Sequence, residues 1–220
     1  MAVESVRSTE EPTSVPIRVA RVAFAVLTAV TLGFILHDGA SDPTFSVVNY
    51  FSYFTVLSNV LTVVVLGVGG LVDPRGMRWQ LFRGAVTLYM VITGIIYAVL
   101  LSNIEVGIAG QWTNDVVHRI MPVVIFLDWI VVPARQRIAE SQSLVWLTFP
   151  VVYGVYTLIR GPIVDWYPYP FLDPRSQGYV ALVIGLVVLT VAFVLMALAV
   201  NAIGRLGNKW RYGEASAEAE

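Results

Sequence analysis

Residues 179–203 read YVALVIGLVVLTVAFVLMALAVNAI, a run without a charged side chain. A bilayer's hydrocarbon core, about 30 Å thick, takes roughly 20 apolar residues at a rise of about 1.5 Å each. The run therefore predicts a transmembrane helix over Tyr179–Ile203. Working outward, five further windows of similar character lie at Ile17–Leu36, Val47–Leu71, Gln80–Leu101, Val116–Val132 and Leu144–Ile159, separated by short polar or Gly/Pro-containing segments. The expected fold class is all-α: a polytopic membrane protein built as a six-transmembrane-helix bundle. Composition agrees, with 57% hydrophobic and 13% charged residues and a mean hydropathy of +0.73. Soluble domains carry about 25% charged residues.

Lys and Arg set the orientation, because short cytoplasmic loops retain positive charge. Arg7, Arg18, Arg21, Arg75, Arg78, Arg83, Arg135, Arg137, Arg205, Lys209 and Arg211 fall on one side, and only Arg119, Arg160 and Arg175 on the other. Eleven against three puts the N and C termini in the cytoplasm. Residues 1–16 are polar and acidic and read as a disordered cytoplasmic tail, 17–203 as the six-helix domain, and 204–220, ending GEASAEAE, as a second cytoplasmic tail. Trp79, Trp112, Trp129, Trp166, Tyr167, Tyr169, Trp210 and Tyr212 lie near the expected helix ends, where amphipathic rings prefer the interface.

A net charge of -1 without a basic cluster gives no case for nucleic acid, and the absence of cysteine removes disulfides, thiol nucleophiles and cysteine-bound metal. Two distant histidines make a heme or metal centre improbable, so no cofactor and no metal are expected. Polar groups at membrane depth are costly and need a partner, a cavity or a function. In NYFSYFTVLSNVLTVVVL, Ser52, Thr55, Asn59 and Thr62 fall on one face of a helix. Packing against a neighbouring helix is the plainer reading of that stripe, and a site the sharper one. In WTNDVVHRIMPVV, Asn114 and His118 share a face ahead of Pro122. An imidazole there either cross-links helices or serves as a general base beside a hydroxyl nucleophile. His37 and Asp38 read as a solvated loop. Asp128 is expected to pair with Arg135 or Arg137, and Asp165 and Asp173 with Arg160 or Arg175. The fifth loop, IRGPIVDWYPYPFLDPRSQG, holds four prolines among aromatic residues and reads either as a re-entrant lid or as an interfacial anchor.

Three motifs resemble the androgen-induced membrane hydrolases of eukaryotes, with the androgen-dependent regulator of tissue factor pathway inhibitor and their bacterial six-span relatives. They are Tyr-x-Thr at Tyr53 and Thr55, W-x-N-x-x-x-H at Trp112, Asn114 and His118, and the YPFL-acid run at Tyr169, Pro170, Phe171, Leu172 and Asp173. Arg119 directly after the histidine, and the proline four rather than five residues beyond it, depart from the family pattern. The resemblance implies a multi-pass protein of the bacterial cytoplasmic membrane and a threonine hydrolase of fatty acid esters of hydroxy fatty acids, with Thr55 and His118 catalytic. In the implied mechanism His118 takes the Thr55 proton, the hydroxyl attacks an ester carbonyl, and Asn59 or Asn114 donates to the oxyanion. Arg119, Trp112, Tyr169 and Phe171 complete the substrate-binding residues. The expected partners are membrane lipids and a fatty acyl ester; the oligomeric state is not set. The alternative is a non-enzymatic six-span protein for lipid binding, signalling or transport.

Overall fold

The computed structural model describes residues 11–102 and 110–213, with no strand among them. The expectations for Arg7 and the first ten residues, for the Tyr212 side chain and for the acidic end beyond 213 fall outside the described residues. The helices are α1 (Val15–Gly39), the short α2 (Val47–Tyr50), α3 (Phe54–Leu71), and α4 (Met77–Ile96, continued by a π turn Tyr97–Leu101). Helix α5 is Gln111–Asp115, a π turn Val116–Ile120 and Met121–Val131. Helix α6 is Glu140–Leu144, a 3-10 turn Val145–Leu147 and Thr148–Val164; a 3-10 turn Pro170–Leu172 leads into α7 (Pro174–Asn208).

Among the described residues, five helices are long and apolar enough to cross a membrane, those within Val15–Gly39, Phe54–Leu71, Met77–Leu101, Glu140–Val164 and Pro174–Arg211. The described residues are thus all-helical, and by length and composition the chain is a multi-pass membrane protein. Helix α5 differs from these five in that Asp115, Arg119 and Asp128 fall within every 18-residue stretch of it.

The structure corrects several expectations. The second window is not one helix: α2 ends at Tyr50 and α3 begins at Phe54, because Tyr53 is extended (φ -80°, ψ 130°). Ser52 therefore lies in the break, bonded to the Val48 carbonyl and the Tyr156 hydroxyl, while Thr55, Asn59 and Thr62 stay on α3 and are buried. The fifth loop is shorter than expected. Helix α6 continues through Pro162 to Val164, and α7 starts at Pro174, capped by the Asp173 carboxylate and interrupted at Gly178 (φ 80°). Proline is tolerated at a helix start because its missing N–H would have no partner there. Trp129 is not an interfacial anchor: it is 1% exposed, donates to the Val200 carbonyl at 2.9 Å, and lies under the Arg83 guanidinium. Tyr169 is likewise buried.

Asp128 pairs with neither Arg135 nor Arg137. Its carboxylate accepts two bonds from Arg21, at 2.6 and 3.1 Å, and one from Arg83 at 2.9 Å. Arg135 instead meets Asp73 (3.2 Å), which also accepts from the Thr13 amide and hydroxyl. The start of α1, the end of α3, the start of α4 and the end of α5 meet in this cluster, so the four helices alternate in direction. Within the expected N-terminal tail, Thr13 is buried here rather than loose. Arg18 donates to the Gly70 and Leu71 carbonyls, capping the last turn of α3.

Helix α7 closes on α5 at the same end. A Cβ at Gly204 would come within 2.6 Å of the Trp129 ring, so this contact requires glycine. Gly204→Ala is expected to cost about 1–3 kcal/mol by overpacking. Thermal unfolding in detergent should register it as a lower midpoint than wild type, whereas Gly185→Ala, where a Cβ meets nothing, should leave the midpoint in place.

Candidate functional site

The opposite end of the bundle gathers the polar residues of the sequence motifs. Thr55 is the second residue of α3, so the carbonyl four positions back belongs to Phe51, outside the helix. The hydroxyls of Thr28, Thr31, Thr62, Thr87 and Thr93 all return to the carbonyl four residues back. That is the usual resting place for a hydroxyl inside a helix. Thr55 lacks this option. Its Oγ1 lies 3.2 Å from His118 Nε2 and 3.4 Å from the Tyr169 hydroxyl, with Thr55 and His118 only 5% and 2% exposed.

The proton order follows from acceptors that cannot donate. His118 Nδ1 is 3.2 Å from the Asn114 carbonyl, so Nδ1 carries the hydrogen and Nε2 presents its lone pair to Thr55. The Thr55 hydroxyl then donates to Nε2. The Tyr169 oxygen receives the Thr55 amide N–H at 3.4 Å, leaving its own hydrogen for Thr55 Oγ1. Burial raises the Tyr169 phenol above its ordinary pKa, so it stays a neutral donor. Tyr97 stacks on the His118 ring with centroids 4.5 Å apart, and its hydroxyl accepts from Asn114 Nδ2 at 2.6 Å.

Local backbone geometry explains how the histidine is aimed. His118 sits in the middle of the π turn Val116–Ile120, where the Met121 amide reaches back five residues to Val116. In that register the next amide would serve the Val117 carbonyl, but it belongs to Pro122, which has no N–H. Asn59 Nδ2 supplies the missing donor at 3.1 Å and also bonds the Thr55 carbonyl at 2.9 Å. Asn59 thus ties α3 to the bulge of α5, with both amide hydrogens committed to backbone. Widened π turns of this kind concentrate at functional sites.

No protein-family model matches the chain, and no curated protein or solved structure gives a significant match.

Two cavities approach this centre. One, of about 300 Å³, is lined by apolar side chains of α3, α4, α6 and α7, with Thr55, Tyr169 and Phe171 in its wall. The other, of about 320 Å³, is polar, between the C-terminal end of α1, the loop after it and α2, and includes Asp38, Asp42, Asn49 and Tyr53. Tyr53 packs edge-on against Tyr169, centroids 5.9 Å apart, where the cavities approach each other.

Of the other residues singled out by sequence, Phe171 stacks on Tyr169 at 5.2 Å. Trp112 does not reach the centre: it is 48% exposed and packs on Phe34 at 5.1 Å. Arg119 turns outward to Asp115 (2.8 Å) with its guanidinium over the Tyr97 ring. His37 and Asp38 are exposed. In the fifth loop Arg175 is the partner of both Asp165 and Asp173, while Arg160 donates to Asn49. Sequence reasoning missed Tyr97 and Tyr153 as parts of the site's frame, and it placed Pro122 just beyond His118 without its part in the π turn. Tyr153 takes the Phe54 amide and donates to the Ser52 carbonyl, holding the break before α3. Only the spacing of Pro122 from His118 carried a sequence signal.

Among the described residues no group of His, Cys, Asp and Glu is placed to hold a metal ion.

Proposed function

We propose that the chain is an intramembrane threonine hydrolase of fatty acyl esters, related to the androgen-induced membrane hydrolases by its three motifs. The observation that carries the reading is the Thr55 hydroxyl, denied a helix carbonyl and set 3.2 Å from an acceptor nitrogen of His118. A nucleophile and base within hydrogen-bond reach, with the base oriented by a third group, is the general arrangement for covalent acyl transfer. Here the orienting group is the Asn114 carbonyl.

In the proposed cycle, Oγ1 attacks the ester carbonyl as its proton passes to Nε2. The tetrahedral intermediate collapses to acyl-threonine, and the departing alkoxide takes the proton from Nε2. Water attacks the acyl carbon with His118 again as base, and the carboxylic acid leaves as Thr55 recovers its proton. The Tyr169 hydroxyl, and the Thr55 amide it covers, are the donors nearest the oxyanion's expected position. Asn59 is a positioning residue in this scheme, and Asn114 acts through its carbonyl.

We further propose that α5 is a sixth span, with both termini cytoplasmic in a bacterial inner membrane. Support comes from the eleven-to-three charge asymmetry and from the pairing of all three α5 charges, Asp115 with Arg119 and Asp128 with Arg21 and Arg83. The reactive pair then lies toward the outer leaflet.

A fluorophosphonate probe should label wild-type protein in lipid nanodiscs and fail to label Thr55→Ala, with Thr55→Ser labelled. Equal labelling of Thr55→Ala would assign the reaction elsewhere. The apolar cavity alone would also suit a lipid-binding protein without turnover; in that case lipid binding persists while no ester is hydrolysed by wild type.

A further inference from the structure

We propose that the apolar cavity is an acyl-chain site which a bilayer hydrocarbon tail enters sideways through a gap between α6 and α7, and that Gly154 sets how much chain it holds. The proposal deepens the hydrolase reading, in that Thr55 lies at one end of this cavity. The site itself stands on its own geometry.

From Thr148 onward α6 stands away from the bundle. Its backbone makes no extended close approach to α7, and side chains such as Tyr153, Tyr156 and Arg160 tie it to the break around Asn49–Phe54. The space left behind is the cavity. Its walls include Ile92 and Ile96 of α4, Leu158 of α6, and Leu186, Leu189 and Phe193 of α7. The threonines in the wall offer little to a polar ligand, because Thr93 and Thr190 give their hydroxyls to their own helices. An apolar void does not hold ordered water, and its volume is at the lower end of that seen for small-molecule sites. A hydrocarbon chain matches it.

Access follows from exposure. Val151 and Val155 of α6 and Thr190 of α7 line the cavity and also face outward. Around them Val152, Val183, Val187 and Val188 are all more than half exposed, a surface that in a membrane protein meets lipid. The opening therefore faces acyl chains rather than water. At the inner end stand Thr55 and Tyr169, where the carbonyl of an entering ester would stop.

Gly154 lies in the α6 wall one turn after Pro150, and a Cβ built there meets nothing within 4 Å. The missing side chain is therefore room, and a large residue at 154 would occupy the cavity without displacing backbone.

The test is photolabelling of full-length protein in phosphatidylcholine nanodiscs with palmitic acid bearing a terminal diazirine, in wild type and Thr55→Ala alike. Adducts are expected on α6 and α7 wall residues such as Leu158, Leu189 and Phe193, competed by palmitate. Gly154→Phe should reduce them about tenfold or more, while Val152→Phe, on the lipid-facing side of the same helix, should not. Leu158→Trp serves as a second blocking variant, and both are read on protein whose thermal midpoint matches wild type. Adducts scattered over lipid-facing residues, or cavity adducts indifferent to both blocking variants, would overturn the proposal. With p-nitrophenyl esters, Gly154→Phe should lower the ratio of palmitate to butyrate turnover about tenfold or more. Cavity adducts without any ester turnover would retain the chain site and sink the hydrolase reading instead.

Discussion

Asp128→Ala is expected to destabilise the protein by about 3–5 kcal/mol, on the order of a 10 °C fall in thermal midpoint for a domain of this size. Its carboxylate is the shared acceptor for Arg21 and Arg83, with side chains 8%, 5% and 5% exposed. Truncation takes the shared acceptor from two guanidinium groups in a region nearly closed to water, and breaking a buried ion pair by removing one partner costs far more than the pair gains. Remaining contacts soften the loss without replacing it: Arg83 still reaches the Val132 carbonyl and Gln80, and Arg21 the Gly69 carbonyl and, at 3.9 Å, the Asp73 carboxylate. The control is Asp115→Ala on the same helix. It breaks the Arg119 pair, whose side chains are 56% and 32% exposed, and such pairs contribute about 0–1 kcal/mol. Thermal unfolding of both variants in one detergent measures the contrast. Equal midpoints would mean that the Arg21–Asp128–Arg83 cluster does not stabilise the bundle.

That cluster also marks the limit of what the chain discloses in one dimension. Hydropathy locates apolar segments because each window carries its own signal, and the long helices appear close to where composition places them. Pairing is different. Asp128 finds Arg21 at a separation of 107 residues and Arg83 at 45, and which of several arginines wins depends on helix ends meeting in space. Nearness in sequence favours Arg135, but the chain turns beyond Val131 and delivers Arg135 to Asp73 instead. The break before α3 was equally hidden, since Phe51, Ser52 and Tyr53 suit a helix or a turn, and tyrosine hydroxyls from α6 and the following loop supply partners for the helix-terminal amides of Phe54 and Thr55. The stripe of Thr55, Asn59 and Thr62 was legible from spacing. The freeing of the Thr55 hydroxyl was not, because it depends on that break.

On the proposed hydrolase reading, replacing His118 by alanine should lower kcat for a fatty acyl ester by about 10²–10⁴-fold, the usual worth of a positioned general base, with KM changed little. The base does not touch the cavity wall that would hold the chain, so ground-state binding survives its loss. Tyr169→Phe separates a second contribution. The ring keeps its contacts with Phe171 and Tyr53, while the hydroxyl 3.4 Å from Oγ1 is removed. Loss of one oxyanion donor lowers kcat by about 10²–10³-fold in comparable sites. The two losses differ in their pH behaviour. With His118 intact, Tyr169→Phe should scale the rate at every pH without moving the profile, since the phenol stays neutral. With His118 removed, the profile should lose the limb that reports the base and rise instead with hydroxide. Asn59→Leu supplies the remaining contrast: it withdraws the donor to the Val117 carbonyl, lets the π turn relax, and should reduce kcat through misplacement of an otherwise intact imidazole. If Asn59→Leu and His118→Ala gave rates no lower than wild type on the same ester, the α3–α5 centre would be packing, and the hydroxyl–imidazole contact a structural bond between two helices.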